Sequence, residues 1–290
     1  MKNRFKNLSK PLLLDGACGS VLQNSGFEID PELWSSVLSF VNPDAVFEVH
    51  KSYTDAGADI ITTNTFRTNP EAIKRSSYSY NWIELVNRSV DLAKEAAGAK
   101  DIIVAGCNAP AEDCYSPRRT LSLTRLEKNH ALHIDELMKA GCDIILNETM
   151  GHLDELMIAS RYCGTNSIPF ITSIYFDENL RLFGGESVED AITMVMEFEP
   201  LLISFNCVNL TAFSNLFNAY KPLPPFGFYL NCGTGKITDP QMHSCITPDE
   251  YISGISGFLG ENLKMIGACC GSTADHIKKL REFIDEKYRD

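Results

Sequence analysis

The sequence has no Cys-x-x-Cys pair, no apolar run long enough to span a bilayer, and no stretch rich in proline, glycine or serine that would divide it. Ten cysteines scattered through 290 residues without short, regular spacings do not form a secreted disulfide framework. They are expected as reduced thiols, some buried and some metal ligands. Basic charge is also scarce: 26 Lys and Arg against 38 Asp and Glu leave a formal charge of -12, which repels phosphate backbones and anionic bilayers. Nucleic acid and membrane are therefore excluded as partners. The basic start MKNRFKNLSK is followed by only four residues, Pro11 to Leu14, before Asp15, too few for a signal-peptide core. The chain reads as cytoplasmic and as one domain over 1–290, with 1–10 an N-terminal extension; homo-oligomer formation stays open.

What is present is a repeating pattern. Apolar, β-branched runs ending in polar residues recur at 12–17, 59–66, 102–108, 143–149, 170–176, 201–207, 226–232 and 263–270. Strands buried on both faces read this way. Between them lie amphipathic stretches with start and stop signals, among them Asn42-Pro43 leading to Gly57, and Thr247-Pro248 opening another. Ala56-Gly57-Ala58-Asp59-Ile60-Ile61 is echoed by Ala140-Gly141-Cys142-Asp143-Ile144-Ile145, as though one βα unit were reused. Eight such units in a chain of this length fit an α/β protein of the (β/α)8 TIM-barrel class, with an open doubly wound sheet as the alternative. Polar residues at the strand ends favour the barrel, where they converge on one mouth: Asp15, Asn64, Asn108, Glu148, Ser173, Asn206, Asn231 and the Cys269-Cys270 pair.

Cys207, Cys232, Cys269 and Cys270 end the sixth, seventh and eighth strands, which are neighbours in such a barrel, so thiols distant in sequence can meet there. Side chains alternate along a regular strand, but the vicinal pair can face one point where the strand turns into Gly271. A three-thiolate site suits Zn²⁺ with a fourth position left for substrate. By position alone, metal binding and three packed core thiols are equal alternatives. His130 and His133, three apart on a helix, read as solvated surface, and the other histidines as isolated. Gly233-Thr234-Gly235-Lys236 is no phosphate loop, because Leu230 stands where its first glycine belongs and Ile237 follows the lysine.

Asp15-Gly16-Ala17-Cys18-Gly19-Ser20, Asn64-Thr65-Phe66, Glu148-Thr149, Asn206-Cys207, Tyr229-Leu230-Asn231-Cys232-Gly233 and Gly267-Ala268-Cys269-Cys270-Gly271-Ser272-Thr273 together resemble the homocysteine S-methyltransferase family over about residues 11–280. The resemblance implies zinc held by Cys207, Cys269 and Cys270, and transfer of a methyl group to the zinc-bound thiol of homocysteine, giving methionine. Glu148 and Asp15 are the strand-end carboxylates placed for the homocysteine ammonium, and the resemblance implies the same. The backbone around Gly16 and Ala17 is placed for the carboxylate. Asn231 is taken as a nearby oxygen donor and Cys232 as a support behind the ligands. The methyl donor stays open between a small sulfonium or betaine and a separate corrinoid protein. The sequence departs from the family after the third strand, at Cys107-Asn108-Ala109-Pro110, and at Gly151-His152, both in loops that would shape the donor pocket. The alternatives are a homocysteine-presenting subunit served only by a corrinoid protein, and a non-enzymatic barrel with a structural metal.

Overall fold

The computed structural model describes residues 1–6, 8–234 and 243–289. Eight parallel strands form one sheet: β1 (Leu12–Leu13), β2 (Ile60–Thr62), β3 (Ile103–Asn108), β4 (Ile144–Met150), β5 (Phe170–Ile174), β6 (Ile203–Asn206), β7 (Phe226–Leu230) and, after the short antiparallel pair β8 (Gly233–Thr234) and β9 (His243–Cys245), β10 (Leu263–Ala268). The order β1-β10-β7-β6-β5-β4-β3-β2 is closed by the bridge between Leu14 and Ile60, with Asp15 N donating to Ile60 O at 3.0 Å. This is the (β/α)8 barrel expected from the alternation, not the open sheet.

All eight expected strands exist; β3 ends at Asn108 as expected and β4 runs one residue further, to Met150, but the other six stop short at their C-terminal ends. The ladder stops at Thr62, where Thr65 N turns back to Thr63 O at 2.8 Å, and at Ala268, one residue before the vicinal cysteines. Residues 235–237 of the rejected phosphate-loop reading lie outside the described residues.

The echoed segments perform the same local task. Gly57 (φ 98°) and Gly141 (φ 100°) end their helices in the left-handed region that favours glycine. Two residues later Asp59 Oδ2 accepts from Leu13 N, and Asp143 Oδ2 from Val104 N, each at 2.8 Å. Each aspartate thus satisfies a neighbouring strand's amide where the ladder begins. Thr247 opens helix Pro248–Ile255 with a reciprocal capping box to Glu250, as its sequence signals.

The N-terminal extension is part of the architecture. Helix Lys2–Lys6 brings Phe5, 4% exposed, among the inward-facing residues Leu14, Ile60 and Ile103, and Arg4 binds Asp101 just before β3. It closes the floor of the barrel.

The expectation of solvated histidines is corrected. In helix Leu123–Ala140, His130 and His133 share the inward face with Leu126, Ile134 and Leu137, and both are fully buried. The stripe at i, i+4, i+7 decides their position, and the polarity of the ring is met by partners. His130 Nε2 lies 2.8 Å from Glu155 Oε1, which also accepts from Ala111 N at 2.8 Å. His133 bridges Asn108 and Thr68 at 3.0 and 2.8 Å. Removing one member strands the others in an environment without water, so Glu155→Ala is expected to destabilise the fold by about 3–5 kcal/mol, read as a lowered urea midpoint. An unchanged midpoint would show that the network carries no stability.

Candidate metal centre and active site

The C-terminal mouth is built by an irregularity within β4, between Asn147 and Met150, and by a turn that leaves the ladder after β6. Cys207 follows β6 with φ 54°, and Thr149 follows Glu148 with φ 58°. Left-handed backbone at non-glycine residues costs about 1–3 kcal/mol and is kept where surrounding bonds over-determine it. Here Asn206 does so, accepting from Thr149 N at 3.0 Å and donating to Thr149 Oγ1 at 2.8 Å. One buried amide thereby ties the strand end carrying Glu148 to the one carrying Cys207. Asn64 and Asn108 act similarly, bonding Ser35 and the histidine network; Asn64 also lines the cavity beside the thiols, whereas Asn108 does not.

Beyond β10, Cys269 N donates to Leu230 O at 2.8 Å, while Cys270 O accepts from Cys232 N and Gly233 N at 3.0 Å each. Gly271 then turns with φ 85°. Both vicinal thiols consequently face Cys207. Cys270 Sγ lies 3.7 Å from Cys207 Sγ and 3.9 Å from Cys269 Sγ, and the three are buried. Cys207 and Cys269 approach sulfur to sulfur with Cα atoms 5.8 Å apart, so all three sulfurs converge on one point. Metal binding requires the thiolate forms. Zn–S bonds of about 2.3 Å in a tetrahedron separate sulfurs by about 3.8 Å, which the Cys270 distances match. Among the described residues this is the one cluster of three or more potential ligands. Cys232 stays outside it, its thiol directed at Leu230 O.

A cavity of about 280 Å³ opens beside the thiols, with Glu148, Gly16, Ala17, Cys107 and Tyr115 on its walls. Cys107 Sγ donates to Glu148 Oε2 at 2.9 Å. Burial raises the Glu148 carboxyl above its ordinary range, opposed by Cys107 and Tyr229. Asp15 is buried nearby, accepting from Thr62 N at 2.8 Å and Thr62 Oγ1 at 2.6 Å. Burial, with a further contribution from Glu148, pushes Asp15 up to about 8 against the bonds from Thr62. The two carboxyls are thus short of a cation. Ala17 N donates to Ser272 Oγ at 3.1 Å, and a Cβ on Gly16 would lie 2.7 Å from Ser272 Oγ and Tyr53, so this glycine is required by close packing. Asn231 sits apart: its Oδ1 accepts from Gly233 N at 2.8 Å, and it faces a second hollow on the other side of Cys207.

Asp15 gives a stability signature. A carboxyl whose folded pKa lies above its unfolded value of about 3.9 favours the fold fully at acid pH, and that contribution is lost as pH rises towards 8. Metal-free protein is expected to lose thermal stability from pH 5 to 8, and Asp15→Asn to raise the pH 8 midpoint by about 2–4 °C for each kcal/mol recovered. Parallel profiles for the two proteins would contradict the assignment.

The walls that sequence reading missed are Trp34, Phe66, Arg67, Cys114 and Tyr115. They lie in irregular loops, which carry no periodicity; Trp34 and Phe66 meet edge-on at 5.7 Å.

The fold and mouth define a (β/α)8 barrel with a three-cysteine metal-site candidate beside a carboxylate-bearing cavity. A family model described as homocysteine S-methyltransferase matches residues 12–284, and the chain belongs to that family, whose activity is methyl transfer to homocysteine. Among curated relatives, it is 21% identical to selenocysteine Se-methyltransferase of Brassica oleracea var. italica over 97% of this chain and 91% of the relative. It is 23% identical to homocysteine S-methyltransferase 1 of Arabidopsis thaliana, covering 97% and 95%. It is 24% identical to the methionine synthase of Mycobacterium leprae over 92% of this chain, spanning only 24% of that protein. Among solved structures, the metallated form of the homocysteine methyltransferase MmuM from Escherichia coli shares the fold, with a TM-score of 0.76 at 23% identity, covering 94% of this chain and 96% of that one. No described helix is long and apolar enough to cross a membrane.

Proposed function

We propose that the protein is a zinc-dependent homocysteine S-methyltransferase in which Cys207, Cys269 and Cys270 hold the metal and Glu148 with Asp15 receives the homocysteine ammonium. The observation that carries this reading is the convergence of three thiols and Glu148 on one cavity. Zn²⁺ at the thiols would supply ionisation of the homocysteine thiol, which is only a few per cent thiolate when free at neutral pH, and would orient its sulfur. The chain's own residues do the rest. Glu148, held on one oxygen by Cys107, presents its charge to the ammonium; Asp15 completes the seat from Thr62. The Gly16–Ala17 turn and the first amides of helix Cys18–Asn24 face the carboxylate. The sulfur attacks the methyl carbon, forming the new C–S bond while the donor departs with the electron pair of the bond that breaks. Asn231 is assigned an oxygen-donor role near Cys207.

The donor is assigned as a small sulfonium or betaine, because a cavity of about 280 Å³ admits molecules of that size. The deciding experiment is zinc stoichiometry and zinc-edge X-ray absorption with and without homocysteine, followed by turnover with S-methylmethionine, betaine and a methylated corrinoid protein. One added sulfur neighbour and turnover with a small donor are expected. A metal already saturated by four sulfurs would overturn the catalytic reading, and turnover with the corrinoid protein alone would replace the donor assignment.

A further inference from the structure

The cavity wall facing the thiols is a tyrosine held by a ring of contacts that closes on itself. Tyr115, in the loop after β3, shares the cavity with Cys207, Cys269, Cys270 and Glu148. Its ring meets Tyr175 edge-on at 5.4 Å. Tyr175 stacks on Phe183 at 5.4 Å with 28° between the planes, and Phe183 lies 5.2 Å from His152. His152 Nε2 is 2.9 Å from the carbonyl oxygen of Ser116, the residue next to Tyr115. Three loops, after β3, β4 and β5, thus fix one side chain.

The neighbouring residue is cut to fit this arrangement. A Cβ on Gly151 would lie 2.6 Å from Phe183 Cε2, and Phe183 N donates to Gly151 O at 3.0 Å. No polar group on Tyr115 is needed to explain such an arrangement; a rigid aromatic surface is.

We propose that Tyr115 is the wall that limits which alkyl groups reach the homocysteine sulfur, and that His152 is the positioning residue that holds it, through Ser116 and through the Phe183–Tyr175 stack. This rests on the reading that homocysteine presents its sulfur at the three thiols. A wall fixed from two sides restricts approach to small carbon centres in line with the sulfur, and sizing by packing discriminates about 10- to 200-fold per added group.

The test uses zinc-loaded full-length protein with bound homocysteine, alkylated by methyl iodide or by iodoacetamide, with S-alkylhomocysteine measured by mass spectrometry. In both reactions sulfur displaces iodide, which leaves with the bonding pair. Tyr115→Ala is expected to raise the ratio of the iodoacetamide rate to the methyl iodide rate about tenfold or more. Tyr115→Leu serves as a second variant, with metal content as the check on folding. His152→Ala is expected to shift the ratio of the two rates in the same direction by a smaller factor. The double variant His152→Ala/Tyr115→Ala should match Tyr115→Ala within about twofold, because the histidine acts only through the tyrosine. Additive effects, or a ratio insensitive to Tyr115, would overturn the proposal. X-ray absorption separates the two levels: failure of homocysteine to add a sulfur neighbour sinks the functional reading, whereas an added sulfur with Tyr115-independent rates sinks this inference alone.

Discussion

Cys269→Ser is expected to fold, to lose its metal and to lose methyl transfer together. The substituted position is held by its backbone, through Cys269 N to Leu230 O, and serine nearly matches cysteine in volume, so the barrel keeps its geometry. What disappears is a soft, ionisable donor. Structural zinc binding of about 10–16 kcal/mol spread over the ligands makes each thiolate worth about 3–4 kcal/mol, or a 100- to 1,000-fold loss of affinity. Metal analysis after dialysis and a methionine-forming assay should fall in step. Cys232→Ser is the matched control: its thiol points at Leu230 O, outside the cluster, so metal content should remain. A Cys269→Ser protein that retained stoichiometric metal would remove Cys269 from the ligand set.

Glu148→Gln is expected to weaken homocysteine binding by roughly 10- to 150-fold, the worth of a hydrogen bond to a charged group, with metal content unchanged. Glutamine fills the same space but offers a dipole where the ammonium needs a charge. The pH dependence has a definite sign. Burial raises both carboxyls, Asp15 to about 8, so ammonium binding must displace protons at neutral pH. Affinity should therefore rise with pH until Asp15 is ionised, and in Asp15→Asn this rise should move to lower pH. Loss of metal in Glu148→Gln would instead assign Glu148 to the metal's support.

Much of this was legible before any coordinates. The strands announced themselves because both of their faces are buried, and Cys207 with Cys269 and Cys270 was recoverable because the strand order sets only β7 between β6 and β10. Strand ends were less legible. Thr63 and Thr65 continue the β-branched pattern but bond to each other through their hydroxyls and bend the chain, so composition and ladder part company there. His130 and His133 were misread because polarity was given more weight than their place on the apolar stripe. Asn231 carried a strand-end signal, yet its amide serves the turn at Gly233. Trp34, Arg67 and Tyr115 left no trace at all: they line the cavity through loop conformations fixed by distant partners, such as Asn64 on Ser35 and His152 on Ser116.

The Phe5 plug at the lower end makes the first residues a working part of the folded unit. Trimming them away would open Leu14, Ile60 and Ile103 to water, so a shortened chain should melt at a lower temperature although its mouth is untouched.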